Sequence, residues 1–154
     1  KIASHNTLLT GGDKPDFTGK SIDGDSIVDV FPSKNKQVEC VEDVMKELLK
    51  EGVPIEKVTL LSPKRIENTF IKDSLFVNEL ISNGLTFSTI HSFKGLENTI
   101  IIILGFEEIT SEESKRLLYV GISRARQKLY LILNEELKHD YQKIIDKNII
   151  KLSE

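Results

Sequence analysis

Residues 86–104 of the chain read TFSTIHSFKGLENTIIIIL. Thr99 to Leu104 are apolar on both faces, which is typical of a strand buried inside a parallel sheet. Leu85 to Ile90 contain β-branched side chains and predict a second strand. FKGLE, at residues 93–97 between them, contains a cation, a glycine and a carboxylate. A polar connection of this kind between two buried strands is a candidate ligand site.

Strand-like and helix-like segments alternate about five times along the chain, with short connections. This pattern predicts an α/β fold with a mostly parallel sheet and helices on both of its faces. The other predicted strands are residues 26–31, 57–61 and 128–133. The predicted helices are residues 38–49, 67–82, 110–124 and 137–152, the third opened by a capping box of Thr110 and Glu113. Residues 1–25 are rich in Gly, Asp, Ser and Thr and predict an irregular loop, which leaves 26–154 as the domain.

FKGLE follows a predicted strand. Ligands of parallel sheets bind at the carboxyl ends of the strands, so we expect the segment to lie at that end. Gly95 would let backbone N–H groups approach a ligand, and Glu97 could accept a hydrogen bond from a ribose hydroxyl. Each residue also has an ordinary interpretation, because Lys94 could be a solvated turn residue, Gly95 could serve only a positive φ, and Glu97 could complement a helix end.

A second candidate segment, RLLYVGISRARQKLYLIL, occupies residues 116–133. Its aliphatic residues predict a helix anchored to the core, and we expect Tyr119 to pack rather than to contact a ligand. Arg124 and Arg126 fall at the carboxyl end of that helix. They could offset the helix dipole or direct a planar guanidinium towards a phosphate, and both interpretations stay open at this point.

A third segment partly matches the sequence pattern of a phosphate-binding loop. GGDKPDFTGKS, residues 11–21, ends in Gly-Lys-Ser. The phosphate-binding pattern needs a glycine where Lys14 stands, a strand before it and a helix after it. The segment lacks these features, so it is better interpreted as a solvated loop.

Composition limits the class of protein. With 39% hydrophobic and 29% charged residues, the 154-residue chain has the balance of a globular domain. Cys40 is the only cysteine, so no disulfide within the chain is possible and no zinc site is expected. The longest aliphatic run is too short for a membrane helix, and no secretory leader opens the chain, so we expect a cytoplasmic location and no membrane contact. Because residue 1 is Lys, we expect a piece of a longer protein.

TIHSFKGLE, residues 89–97, followed by LLYVGISRAR, residues 117–126, closely resembles motifs V and VI of superfamily 1 helicases of the UvrD/Rep type. The family patterns are T-x-H-x-x-K-G-L-E and L-x-Y-V-A-x-[ST]-R-A. The order of the motifs and the aliphatic strand between them also agree. The resemblance covers residues 86–133 strongly.

The resemblance implies a RecA-like three-layer sandwich that forms the second of two motor domains. ATP lies in the cleft between such domains, and the first domain supplies the phosphate loop and the Mg²⁺ ligands. The expected partners are therefore an N-terminal RecA-like domain of the same protein and single-stranded DNA. The domain alone is expected to be inactive as an ATPase, because it would hold only half of the site.

The resemblance also implies roles for individual residues. Arg124 resembles the arginine finger that reaches the γ-phosphate. A further family arginine follows a strand equivalent to residues 57–61, and Arg65, or Lys64 beside it, is its candidate here. The nucleotide-binding candidates are Gly95, Glu97 and Lys94, and the single-strand-binding candidates are Thr89, His91 and Ser92.

Two functions are alternatives to a helicase motor domain. A non-catalytic helicase-like module that binds a partner or DNA would not require both Arg124 and Glu97. A stand-alone nucleotide-binding enzyme would require a phosphate loop, which the chain does not contain in recognisable form. Only about twenty residues separate Arg65 from Leu85, so the accessory subdomain that many relatives insert before motif V is not expected.

Overall fold

The computed structural model of the protein describes residues 26–144. The strands are β1 (Ser26–Val30), β2 (Val58–Ser62), β3 (Thr86–Thr89), β4 (Asn98–Ile103) and β5 (Ala125–Ile132). The α-helices are α1 (Gln37–Lys50), α2 (Leu75–Ser82) and α3 (Glu112–Ile122), and residues 138–144 are also helical. Short 3₁₀ helices occupy Lys34–Lys36, Ile55–Lys57, Ile66–Asn68 and Glu135–Leu137. Three predictions concern residues outside this range: the loop over 1–25, the interpretation of residues 11–21 as a solvated loop, and the end of the last helix.

The five strands form one sheet in the order β1-β5-β4-β2-β3, and every pairing is parallel. Ile101 of β4 is in register with Thr59 of β2 on one side and with Leu129 of β5 on the other. Because all strands run in the same direction, the sheet has an amino end, where strands begin, and a carboxyl end, where they finish. The α/β fold with a parallel sheet is therefore confirmed.

Alternation along β4 explains why both faces of the sheet are covered. Ile100 and Ile102 pack into the hydrophobic cluster of α1 and α2, whereas Ile101 and Ile103 pack into that of α3 and the helical residues 138–144. All four side chains are at most 6% exposed. The helices contribute Val41, Met45 and Leu48 of α1, Val77 of α2, Leu118 and Ile122 of α3, and Tyr141. The isoleucines of β4 thus join the sheet to a helical layer on each of its faces, which gives three layers in all. Among the described residues, no helix is long and apolar enough to cross a membrane.

The second helix is shorter than the predicted span of 67–82. It begins at Leu75, because Ser74 is extended and its Oγ accepts a hydrogen bond from the Val77 N–H at 3.1 Å. Such an N-cap satisfies a donor that the first turn leaves free. Ile66–Asn68 form a separate 3₁₀ turn. The apolar periodicity continued through this break and concealed it.

The capping box predicted for Thr110 and Glu113 is wrong. Ser111 is the N-cap of α3, and its Oγ accepts a hydrogen bond from the Ser114 N–H at 3.1 Å. The expectation that Tyr119 packs is also wrong, because the side chain is 49% exposed. Strand β5 begins at Ala125, three residues before its predicted start.

We predict that Gly105→Ala destabilises the protein more than Gly52→Ala. Both glycines have a φ of 88°, where a Cβ atom costs about 1–2 kcal/mol. A Cβ at Gly105 would also collide with the Oγ of Ser62, whereas no heavy atom lies within 4 Å of the equivalent position at Gly52. Overpacking should add about 1–3 kcal/mol at Gly105. Urea denaturation measures both losses, and equal losses would contradict the steric argument.

Candidate functional site

The connection from β3 to β4 runs the length of the sheet. Because β3 ends with Thr89 at the carboxyl end and β4 begins with Asn98 at the amino end, residues 90–97 cross from one end to the other. Turns shorten the path, with the Phe93 N–H donating to the Thr89 carbonyl at 3.1 Å and the Leu96 N–H donating to the Phe93 carbonyl at 3.0 Å. The expectation that FKGLE lies at the carboxyl end is therefore wrong, since the segment finishes at the amino end.

Two buried side chains fasten this crossover to the sheet. Ile90 and Phe93 are 1% and 7% exposed and belong to the same hydrophobic cluster as Ile103 of β4. Helix α3 lies directly beside them at Gly121, where an added Cβ would stand 3.0 Å from Ile103 Cδ1 and 3.3 Å from Ile90 Cδ1. The crossover and α3, which carry the two sequence motifs, are therefore in contact through a closely packed core.

The ends of the two motifs meet at the amino end of the sheet. Asn98 is in register with Ala125, and the Asn98 N–H donates to the Arg124 carbonyl at 3.0 Å. Glu97 and Arg124 are the residues immediately before this pair, so their backbones lie side by side although 26 residues separate them in sequence. The structure thus places the backbones of Glu97, from the first motif, and Arg124, from the second, next to each other.

Arg124 is half-buried and leaves the last turn of α3, where its N–H donates to the Gly121 carbonyl at 3.1 Å. Its Nε is buried and has no hydrogen-bond partner within residues 26–144. A buried donor without a partner usually costs about 1–3 kcal/mol. The side chain is therefore held by packing while part of its hydrogen-bonding capacity is unused.

Arg126 is a residue at this end that sequence analysis did not include among the site residues. The β4–β5 register shifts between Asn98 and Ile100, so β5 contains a bulge opposite Thr99. Arg126 lies in this bulge, is exposed, and donates a hydrogen bond to the Thr99 Oγ1 at 3.2 Å. Bulges redirect side chains beside functional sites. The sequence signal was the Arg-Ala-Arg triplet, but the bulge itself has no clear sequence signature.

The three predicted nucleotide-binding residues are all exposed on the crossover. Gly95 has a φ of 80°, and no heavy atom lies within 4 Å of the position that a Cβ would occupy. The positive φ accounts for a glycine, and the open space also leaves the backbone accessible to a ligand. Glu97 lies at the amino end next to Arg124, whereas Lys94 belongs to the turns in the middle of the crossover.

The three predicted nucleic-acid-binding residues lie together at the opposite, carboxyl end. The Thr89 Oγ1 accepts a hydrogen bond from the Ser92 N–H at 3.1 Å, which shapes the first turn of the crossover. His91 and Ser92 are exposed. The length of the crossover therefore separates this group from Arg124.

The structure does not bring Arg65 beside Arg124. Arg65 follows β2 at the carboxyl end and lies 3.7 Å from the Glu67 carboxylate. The amino end is about 16 Å away, the length of a five-residue strand. Lys64, the other candidate, forms an ion pair with Glu107 at 2.9 Å. The hydrogen bond and charge of Lys64 lower the pKa of the Glu107 carboxyl group.

An exposed carboxylate organises the start of α3. Glu108 accepts hydrogen bonds from the Thr110 N–H at 2.8 Å, from the N–H and Oγ of Ser111 at 2.9 and 2.8 Å, and from the Ser114 Oγ at 2.6 Å. These donors, with Ser114 first, lower the pKa of Glu108 to about 2. A negative charge at a helix N-terminus is also favoured by the helix dipole. The helix that ends next to Arg124 is thus fixed at its beginning by Glu108.

The comparisons with known proteins agree with the family resemblance. Residues 84–132 match the family described as UvrD-like helicase C-terminal domain. The ATP-dependent DNA helicases PcrA of Staphylococcus epidermidis and Staphylococcus aureus are 34% identical to the chain over 99 residues, covering 53% of this chain but 13% of each relative. The chain therefore matches only a small part of the length of these relatives.

A solved structure of similar fold is the C-terminal domain of a possible DNA helicase from Lactobacillus plantarum WCFS1. It superposes with a TM-score of 0.55 at 16% identity, covering 89% of this chain and 86% of that chain. At this identity the likeness concerns the fold alone. It confirms the expected RecA-like α/β sandwich. Within residues 26–144, no group of three or more His, Cys, Asp or Glu side chains could hold a metal ion.

We predict that Glu108→Gln lowers the free energy of unfolding at pH 7, by less than about 1 kcal/mol because the carboxylate is exposed and screened. The folded-state pKa of about 2 is below the usual value of 4.5. The stabilisation is therefore complete above pH 4.5 and lost as the pH falls towards 2. Urea denaturation between pH 2 and 7 should show the two proteins converging in acid. Glu113→Gln, which removes a carboxylate from the same first turn, is the control for the loss of negative charge alone.

Proposed function

We propose that this chain, which matches the family of UvrD-like helicase C-terminal domains over residues 84–132, is the second motor domain of an ATP-dependent DNA helicase. Its action requires an N-terminal RecA-like domain, and ATP binds between the two. The relatives named above support the activity, although they extend far beyond the matched region. Closing and opening of the two domains during each ATP cycle would then move the protein along single-stranded DNA.

The observation that carries the proposal is the meeting of Glu97 and Arg124 at the amino end of the sheet. The hydrogen bond from the Asn98 N–H to the Arg124 carbonyl fixes their backbones next to each other. A carboxylate and a guanidinium on neighbouring backbone segments suit a nucleotide, which presents ribose hydroxyls and phosphate oxygens together. A scaffold domain has no requirement for this pair.

In the proposed mechanism, Arg124 acts as the arginine finger. A guanidinium is planar, remains charged at any physiological pH and donates several hydrogen bonds to phosphate oxygens. The partner domain would bring the γ-phosphate to it, and Arg124 would stabilise the charge that develops during phosphoryl transfer. The unpartnered Nε supports this role, because packing rather than an internal acceptor holds the side chain.

Other residues of the crossover would complete the nucleotide site. Glu97 would accept hydrogen bonds from the nucleotide, and the open surface at Gly95 would permit close approach of the backbone. Lys94 would contribute positive charge. The Mg²⁺ ligands would come from the N-terminal domain, as the family resemblance implies. Arg65 would act in the same cleft only if the partner domain also reached the carboxyl end of the sheet.

Single-stranded DNA would contact the carboxyl end of the crossover. His91 and Ser92 are exposed there, and Thr89 shapes the turn that presents them. Imidazole rings can stack on bases, and hydroxyl groups can bind phosphates. Because one packed segment joins this surface to Glu97, a shift of the DNA could be transmitted to the nucleotide cleft.

We predict that Arg124→Ala lowers DNA-stimulated ATP hydrolysis by roughly 10³–10⁵-fold when the chain acts together with its N-terminal domain. The reason is the loss of the charge that stabilises the transition state. Steady-state turnover measures the effect. Arg116→Ala, which removes an exposed arginine from α3, is the control and should turn over normally. Normal turnover by Arg124→Ala would remove Arg124 from the mechanism, whereas absence of DNA-stimulated turnover in the wild type would favour the non-catalytic interaction module.

We also predict that His91→Ala raises the concentration of single-stranded DNA needed for half-maximal stimulation of ATP hydrolysis by roughly tenfold, the effect of losing one stacking contact. Titrating oligonucleotide into the ATPase assay measures it. His139→Ala removes an equally exposed histidine from residues 138–144 and should change nothing. An unchanged midpoint for His91→Ala would remove this residue from the DNA surface.

A further inference from the structure

Asn98 is the first residue of a mostly aliphatic strand, and its side-chain amide and its backbone N–H are all hydrogen-bonded. Its Nδ2 donates to the Thr59 Oγ1 at 2.9 Å and to the Glu56 carbonyl at 3.2 Å. Its Oδ1 accepts from the Thr99 N–H at 2.7 Å. Its backbone N–H donates to the Arg124 carbonyl at 3.0 Å. One residue therefore ties the beginnings of β2, β4 and β5 together.

These bonds connect the site to a rigid part of the molecule. Thr59 is 1% exposed and sits inside the sheet, in register with Ile101 of β4. The Asn98 side chain thus anchors the start of β4 to a buried position on one side. Its backbone holds Arg124 on the other side. Without the side-chain anchor, the first residue of β4 could fray like any strand end, and Glu97 and Arg124 would lose their fixed separation.

We propose that Asn98 is a positioning residue for the nucleotide site, setting the distance between Glu97 and Arg124 through its hydrogen bonds to Thr59 and Glu56. This inference rests on the proposed function. It adds a residue outside the two motif patterns to the catalytic machinery, one that acts through Arg124 and does not itself touch the nucleotide.

Variants of Asn98 and Thr59 can remove the side-chain hydrogen bonds of Asn98 wholly or in part. Asn98→Ala removes both side-chain anchors but keeps the backbone N–H that meets Arg124. Thr59→Val keeps the shape of the buried side chain and removes only one acceptor. Thr59→Ser keeps the hydroxyl group. The expected order of turnover is wild type and Thr59→Ser first, then Thr59→Val, then Asn98→Ala.

The experiment measures kcat and KM for ATP in the protein with both motor domains, together with the urea midpoint of each variant. Asn98→Ala should lower kcat by roughly tenfold to a hundredfold, the effect of a misplaced catalytic group, with little change in KM. Because Asn98 acts through Arg124, adding Asn98→Ala to Arg124→Ala should produce no further loss of turnover. Independent effects would multiply instead.

Thr69→Val is the matched control for a purely structural effect. Thr69 is 3% exposed and donates its hydroxyl hydrogen bond to the Ile66 carbonyl at 2.8 Å, away from the amino end of the sheet. It should lower the urea midpoint but leave kcat unchanged.

Two outcomes separate the inference from the function. If Arg124→Ala abolishes turnover while Asn98→Ala and Thr59→Val lose only stability, as Thr69→Val does, Asn98 is structural and the inference is overturned. If Arg124→Ala turns over normally, the arginine-finger role within the proposed function and the inference fall together. Should Asn98→Ala not fold, Thr59→Val decides the first question alone.

Discussion

The parallel pairing of β4 with β5 at the amino end of the sheet is the constraint on which the candidate site depends. The hydrogen bond from the Asn98 N–H to the Arg124 carbonyl belongs to this pairing. The pairing is sustained by the isoleucines of β4, which are buried on both faces. Hydrophobic burial therefore fixes the relative position of two polar residues that lie far apart in sequence. Side-chain contacts alone would leave that position to rotamer freedom.

Two elements join the ends of the sheet on the same face, and they touch each other. The crossover carries Thr89 at one end and Glu97 at the other, while α3 runs from the Glu108 hydrogen bonds to Arg124. At Gly121 the helix approaches Ile90 so closely that a methyl group would press on it. Close-packed interiors transmit displacements rather than absorb them. A change at the carboxyl end thus has a direct physical route to the amino end.

The strands were predictable because their apolar runs are long and flanked by polar residues, and the parallel sheet followed from their alternation with helices. The start of α2 could not be predicted, because the apolar pattern continues on both sides of Ser74, where the helix begins. Local spacing suggested Thr110 as a cap, whereas Glu108 draws the chain so that Ser111 takes that position. The bulge that contains Arg126 depends on how β4 and β5 pair. The sequence of β5 alone does not determine this pairing, so the bulge could not be predicted.

The buried Nε of Arg124 bears on the two interpretations that the sequence left open. A cation that only offsets the helix dipole needs to lie near the last carbonyls, and it does not require a buried donor without a partner. Arg124 instead carries a buried donor without a partner in the described part of the chain, at a cost of about 1–3 kcal/mol. Burial in return restricts the orientations of the guanidinium, which is useful only where a ligand must meet it in a fixed geometry. The dipole interpretation leaves this cost without compensation, whereas a phosphate presented by another domain, as in the proposed function, would compensate it.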